Sequence, residues 1–113
     1  MDNMKETRPW GFYRVLEESF DYKAKYIFVN SGHKLSYQKH AQRTEHWIII
    51  SGYPYITVDG IKKTYAPGDT LTIPKETLHR IEALSHPVEF IEVQTGEYFG
   101  EDDIIRVEDD YGR

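Results

Sequence analysis

At 113 residues the chain is the size of one ordinary domain, with material for a single hydrophobic core. Its 39% hydrophobic and 29% charged residues suit a soluble globular protein, and its longest apolar run, Trp47-Ile48-Ile49-Ile50, falls far short of the roughly 20 residues of a membrane-spanning helix. Nineteen acidic against 14 basic residues give a net charge of −5 with no basic stripe, so neither nucleic acid nor membrane is an expected partner.

No cysteine is present, which excludes a disulfide framework and any thiolate chemistry. The first ten residues carry Asp2, Lys5, Glu6 and Arg8 and no apolar stretch of secretory type, so a cytoplasmic location is expected. From there the chain breaks into short runs rich in Tyr, Ile, Val, Thr and Phe, bounded by Gly, Pro, Asn and Asp. That punctuation predicts an all-β sandwich or barrel. In chain order, strands are expected near Gly11 to Glu17, Tyr22 to Val29, Lys34 to His40, His46 to Ser51, Tyr55 to Val58, Lys62 to Ala66, Thr70 to Ile73, His79 to Ala83 and Val88 to Thr95.

Asp59-Gly60 is a hairpin signal, because both positions tolerate positive φ. Pro67-Gly68 and Pro74 end their runs by withholding a ladder donor or permitting a turn. Trp47 and the Ile48 to Ile50 run are expected to be buried core, and Trp10 to be packing. After Glu97 the chain turns acidic, with only scattered apolar residues, and a short irregular or helical arm is expected. The whole is one domain, with an N-terminal strand arm over 1–20, a barrel core over 21–95 and a C-terminal arm over 96–113.

Chemistry concentrates on four residues. Gln38 and His40 stand two apart in a strand-like run, so their side chains leave one face of the sheet and can converge. Glu45 can reach the same point from the next strand, and His79 from a later hairpin. Two imidazoles, a carboxylate and an amide oxygen suit one divalent metal ion: zinc first, with manganese, cobalt, nickel or iron also accommodated. Isolated histidines are usually surface or supporting residues, and His33 and His86 are read so; His46, next to Glu45, should face away from the site.

The flanks strengthen the pattern. From Gly32 the spacing runs through Gln38, His40 and Glu45 to Gly52, and from Gly68 through Pro74 and Glu76 to His79. These segments resemble the two cupin motifs, with Gln38 in place of a histidine, Glu76 in place of a glycine and Ala83 in place of the closing asparagine. The blocks Arg8-Pro9-Trp10-Gly11, Arg43-Thr44-Glu45-His46-Trp47, Glu92-Val93-Gln94-Thr95-Gly96 and Gly100-Glu101-Asp102-Asp103-Ile104 further resemble the type II mannose-6-phosphate isomerases, over nearly the whole chain.

That resemblance implies a cupin barrel, the double-stranded β-helix or jelly roll, often forming a homodimer. It also implies a metal-dependent isomerase that interconverts mannose 6-phosphate and fructose 6-phosphate through an enediol, the metal acting as Lewis acid. Arg43 is expected to face the sugar, Arg106 and Arg113 to meet the phosphate of a small sugar-phosphate substrate, and Arg43 and Glu101 to be candidate catalytic residues. Family members commonly carry a guanylyltransferase part, but no Gly-rich nucleotide loop is present, so that activity is not expected of this chain. The rivals are a sugar- or metal-binding module without catalysis, and a metal cupin of another reaction class such as a dioxygenase.

Overall fold

A computed structural model describes residues 5–109. Within them eleven strands form two antiparallel sheets that face each other. The larger sheet runs, edge to edge, β1 (Lys5–Arg8), β2 (Gly11–Glu18), β3 (Tyr22–Val29), β10 (Val88–Gly96), β5 (Arg43–Ser51) and β8 (Thr70–Ile73), numbered in chain order. The smaller runs β11 (Ile105–Glu108), β4 (Tyr37–Lys39), β9 (His79–Glu82), β6 (Tyr55–Val58) and β7 (Ile61–Thr64). Among the described residues no helix is long and apolar enough to cross a membrane.

Period-two alternation explains which side chains line the interior. On β3, Ile27 and Val29 point inward with Lys23 and Lys25, while on β5 the inward set is Arg43, Glu45, Trp47 and Ile49. Toward one end of the barrel the core is apolar, built on Trp47, Ile49, Ile56, Ile73, Ile81, Val88 and Phe90. Toward the other end the same faces turn polar and charged. That change along single strands creates the site.

Several expected features differ. Ile48 and Ile50 are 38% and 48% exposed, because alternation sends every second residue of their run to the outer face; only Trp47 and Ile49 are core. The expected Lys34 to His40 strand shrinks to Tyr37–Lys39, with Lys34 making one isolated bridge to Glu82. The C-terminal arm is neither helical nor irregular throughout: Ile105–Glu108 adds a strand beside β4, where β-branched Ile105 and Val107 suit an extended backbone. The added strand β1 pairs with β2 across the turn at Pro9-Trp10.

Two backbone positions tie the fold to the site. Glu76, standing where the cupin pattern has glycine, keeps the positive φ of 64° that glycine would adopt, and its N–H donates to the His40 carbonyl at 2.7 Å. Gly96 pairs with Arg43 at φ 141°, and a Cβ there would lie 2.4 Å from the Gln42 carbonyl oxygen and 3.0 Å from the Arg43 Cα. Gly96→Ala should therefore cost about 1–3 kcal/mol, through a strained φ and a backbone clash beside the site. Urea denaturation checks this; an unchanged midpoint would contradict it.

Candidate metal centre

The carboxylate of Glu45, 2% exposed, is the hub. β5 carries it inward, and the pairing of β4 with β9, Gln38 opposite His79, brings two further ligand candidates across from the smaller sheet. His40 Nε2 lies 3.2 Å from Glu45 Oε2, and His79 Nε2 lies 3.7 Å from Glu45 Oε1. One ligand atom from each of His40, Glu45 and His79 falls within 4.8 Å of the others, a spread one divalent ion can draw together.

Both imidazoles are held in the tautomer a metal needs. His40 Nδ1 is 2.6 Å from the Asp103 carbonyl and His79 Nδ1 is 2.9 Å from the Thr77 carbonyl, so each Nδ1–H donates to backbone and each Nε2 keeps its lone pair toward the site. The Asp103 carboxylate accepts from the N–H groups of Ala41 and Gln42, fixing the turn that carries His40 into β5. Gln38 donates its amide N–H to Ser36 Oγ at 3.0 Å, which leaves the amide oxygen as its acceptor end. Gln38, His40, Glu45 and His79 line a common cavity of about 30 Å³, room for an ion or one or two waters.

Arg43 is 4% exposed and bonds inward: Nε and Nη2 each lie 2.9 Å from Glu45 Oε2, and Nη2 lies 3.2 Å from His40 Nε2. Trp47 Nε1–H adds a bond to Glu45 Oε1 at 3.0 Å. Burial alone would raise the Glu45 carboxyl, but His79, Arg43 and His40 together hold it well below the usual carboxylate range. For His40, burial is the largest influence and lowers its pKa, favouring the neutral, ligating form. Arg43 Nη1 and Gln94 Oε1 are buried without a hydrogen-bond partner among the described residues. The donor set fits a divalent metal: two imidazoles whose Nε2 atoms face the site, a carboxylate and an amide already oriented by its neighbours.

The four expected ligands are thus brought together, with Arg43 in contact with two of them. Arg43 is turned into Glu45 and His40 and is not part of the lining of the cavity that the four ligands share. Glu101 and Arg106 line a second, adjoining cavity, and Glu101 is bound there by Lys25 at 2.5 Å and Lys23 at 3.4 Å. Arg113 lies outside the described residues. His46 is exposed on the outer face, 3.2 Å from the Thr95 hydroxyl, as its odd position relative to Glu45 requires.

Sequence reasoning missed Lys23, Lys25 and Glu92, all inward-facing and buried. Lys23 and Lys25 share a face with Ile27 and Val29, but the sequence alone does not say that this face is the inward one. Glu92 sits behind Glu45 and accepts from Gln94 Nε2 at 2.6 Å; burial, and next the Glu45 charge, push its carboxyl up to about 7.

Comparison with known proteins identifies the surroundings of this site. The family model described as mannose-6-phosphate isomerase C-terminal matches residues 2–109. The alginate biosynthesis protein AlgA of Pseudomonas aeruginosa is 42% identical over 107 residues, covering 94% of this chain and 22% of that protein. A mannose-1-phosphate guanylyltransferase of Escherichia coli (strain K12) is 38% identical over 107 residues, with the same coverages. The chain therefore spans about a fifth of the length of these curated relatives. Among solved structures, the oxalate decarboxylase OxdC of Bacillus subtilis superposes with a TM-score of 0.83 at 21% identity, covering 94% of this chain and 30% of that one. A cupin-2 domain from Rhodospirillum rubrum gives 0.71 at 22% identity, covering 81% and 67%. The fold is a cupin barrel.

These relatives correct two expectations. They bear guanylyltransferase and polysaccharide-biosynthesis names, which point away from a mannose-6-phosphate isomerase and overturn the expectation that guanylyltransferase activity is foreign to such a chain. The physical reason is one of scale: the isomerase-like blocks describe a segment, whereas the names belong to proteins several times longer.

The Glu92 environment yields a pH prediction. Its folded pKa lies above its ordinary value of 4.5, so the folded state binds more protons than the unfolded one between 4.5 and about 7, and stability falls as pH rises through that window. In metal-free protein, Glu92→Gln should gain stability relative to the parent as pH is raised from about 5 to about 8. Urea midpoints across that range test it; a constant difference would contradict it.

Proposed function

The chain belongs to the family described as mannose-6-phosphate isomerase C-terminal, and from that premise we propose that it is a divalent-metal-binding cupin module that recognises a mannose phosphate in the service of guanylyl transfer. His40, Glu45 and His79 would hold the cation, with the Gln38 amide oxygen as fourth donor. The observation that carries this reading is the pair of imidazoles whose Nδ1–H groups are bound to backbone, so that both Nε2 atoms face the buried Glu45 carboxylate. Such preorientation is characteristic of metal-ligating histidines, whose outer partners set tautomer and ring angle.

Zinc is the first choice of metal, since four N and O donors from side chains suit it, with manganese, cobalt, nickel and iron compatible. A bound cation supplies a Lewis acid for sugar oxygens. The chain's residues do the rest: Arg43 neutralises and positions Glu45, Trp47 fixes its other oxygen, and the Asp103 carbonyl sets the ring of His40. The relatives' printed name, mannose-1-phosphate guanylyltransferase, supports mannose 1-phosphate as the ligand class.

Metal-stripped protein should take up one zinc per chain and bind mannose 1-phosphate more tightly with the metal than without it. His40→Ala and His79→Ala should each lower zinc affinity by more than the roughly 10–100-fold that loss of an outer partner costs, and Gln38→Ala by less. Chelator competition reads the metal affinity and calorimetry the sugar phosphate. Parental zinc affinity in both histidine variants would sink the metal assignment, and metal-independent sugar-phosphate binding would sink the role given to it.

A further inference from the structure

Between β10 and β11 the chain crosses from the larger sheet to the smaller, through residues 97–104. Two buried ammoniums hold the first half of this crossing. Lys23 and Lys25, 7% and 4% exposed, face inward from β3. Lys23 Nζ lies 3.3 Å from the Phe99 carbonyl oxygen and 3.4 Å from the Glu101 carboxylate, and Lys25 Nζ lies 2.5 Å from that carboxylate. An ammonium taken out of water requires an opposite charge, so the two lysines draw Glu101 down onto the barrel, with Phe99 buried two residues before it.

The second half of the crossing reaches the metal centre. The Asp103 N–H donates to the Gly100 carbonyl at 3.1 Å, closing a turn that carries Glu101 and Asp103 together. Asp103 makes three contacts with the connection from β4 to β5. Its carbonyl oxygen stands 2.6 Å from His40 Nδ1, and its carboxylate accepts from the N–H groups of Ala41 at 3.0 Å and Gln42 at 2.9 Å. Beyond it β11 pairs with β4, and Arg80 holds Glu108 at 3.2 Å. The two imidazoles of the metal centre therefore differ in what orients them. His79 finds its partner, Thr77, two residues before it, whereas the partner of His40 lies 63 residues away on the crossing.

We propose that Glu101 is a positioning residue for the metal centre: clamped by Lys23 and Lys25, it holds the 97–104 crossing down so that the Asp103 carbonyl fixes the tautomer and ring angle of His40. The effect on metal affinity rests on the reading of His40 as a ligand; the clamp on its ring does not. Glu101, expected as a catalytic residue, instead commits its carboxylate to two lysines and acts through Asp103. The coupling is reciprocal: what the clamp adds to metal affinity, bound metal adds to closure of the clamp.

Two substitutions of opposite charge separate a clamp from a simple field. Glu101→Gln removes a negative charge near the cation and Lys25→Met removes a positive one, so direct electrostatics lowers zinc affinity in the first and raises it in the second. A clamp loses affinity in both, by about tenfold, the lower end of the range for loss of an outer partner. Nitrogen-15 NMR of metal-free protein, at a pH where both imidazoles are neutral, reads the clamp without metal. His40 should be the Nδ1–H tautomer in the parent and a mixture in both variants, while His79 keeps its tautomer throughout. General destabilisation would not single out one ring. Opposite shifts in zinc affinity, a parental His40 without the Nδ1–H tautomer, or a tautomer that neither variant changes overturns the proposal. Failure of the parent to take up zinc, with the His40 tautomer still dependent on Glu101 and Lys25, overturns the metal reading and leaves the clamp standing.

Discussion

A carboxylate buried at 2% exposure in the middle of a β-barrel is the constraint on which the rest of the site depends. An isolated ionised carboxylate cannot be taken out of water without charge and hydrogen-bond partners. Glu45 has Arg43 and Trp47 on its own strand and His40 and His79 from the opposing sheet. Its β5 neighbours at positions two before and two after reach it because alternation puts them on the same face. Removing one partner would leave charge uncompensated in the interior, so these side chains act as a unit.

Beyond that hub, the polar end of the barrel is stratified by charge. The Glu45 carboxylate stands against the Nε2 atoms of two imidazoles in one cavity; one layer away Lys25, Arg8 and Arg106 line a second, with Gln38 and Glu92 on the shared wall. An ordinary all-apolar core would have packed this volume and gained stability. The retained charges, with buried Arg43 Nη1 and Gln94 Oε1 atoms lacking partners among the described residues, mark where stability gives way to binding.

Much of this was legible in the sequence because the site is built on short-range regularities. The spacing of Gln38, His40 and Glu45, with His79 placed by Gly68 and Pro74, carries the gathering of these four side chains around one cavity, and Asp59-Gly60 forms the expected turn with φ of 52° and 79°. What stayed hidden depends on long-range pairing. Period two alone does not say whether Lys25 and Ile27 or Tyr26 and Phe28 face inward on β3; the choice is made by β10 on one side and β2 on the other. The same ambiguity misplaced Ile48 and Ile50. The acidic tail forms a strand only because β4 offers it an edge, and nothing local in Ile105–Glu108 specifies that partner. Function was the least legible: blocks characteristic of an isomerase segment recur in relatives named for guanylyl transfer, and the site, not the fold, has to carry the assignment.

The most direct test of the account is X-ray absorption spectroscopy of the zinc-loaded protein. The account predicts a first shell of nitrogen and oxygen at about 2.0–2.2 Å, with the outer scattering of two imidazoles, one of which is lost in His40→Ala and one in His79→Ala. A shell of oxygen alone, or an imidazole count that neither substitution changes, would contradict it.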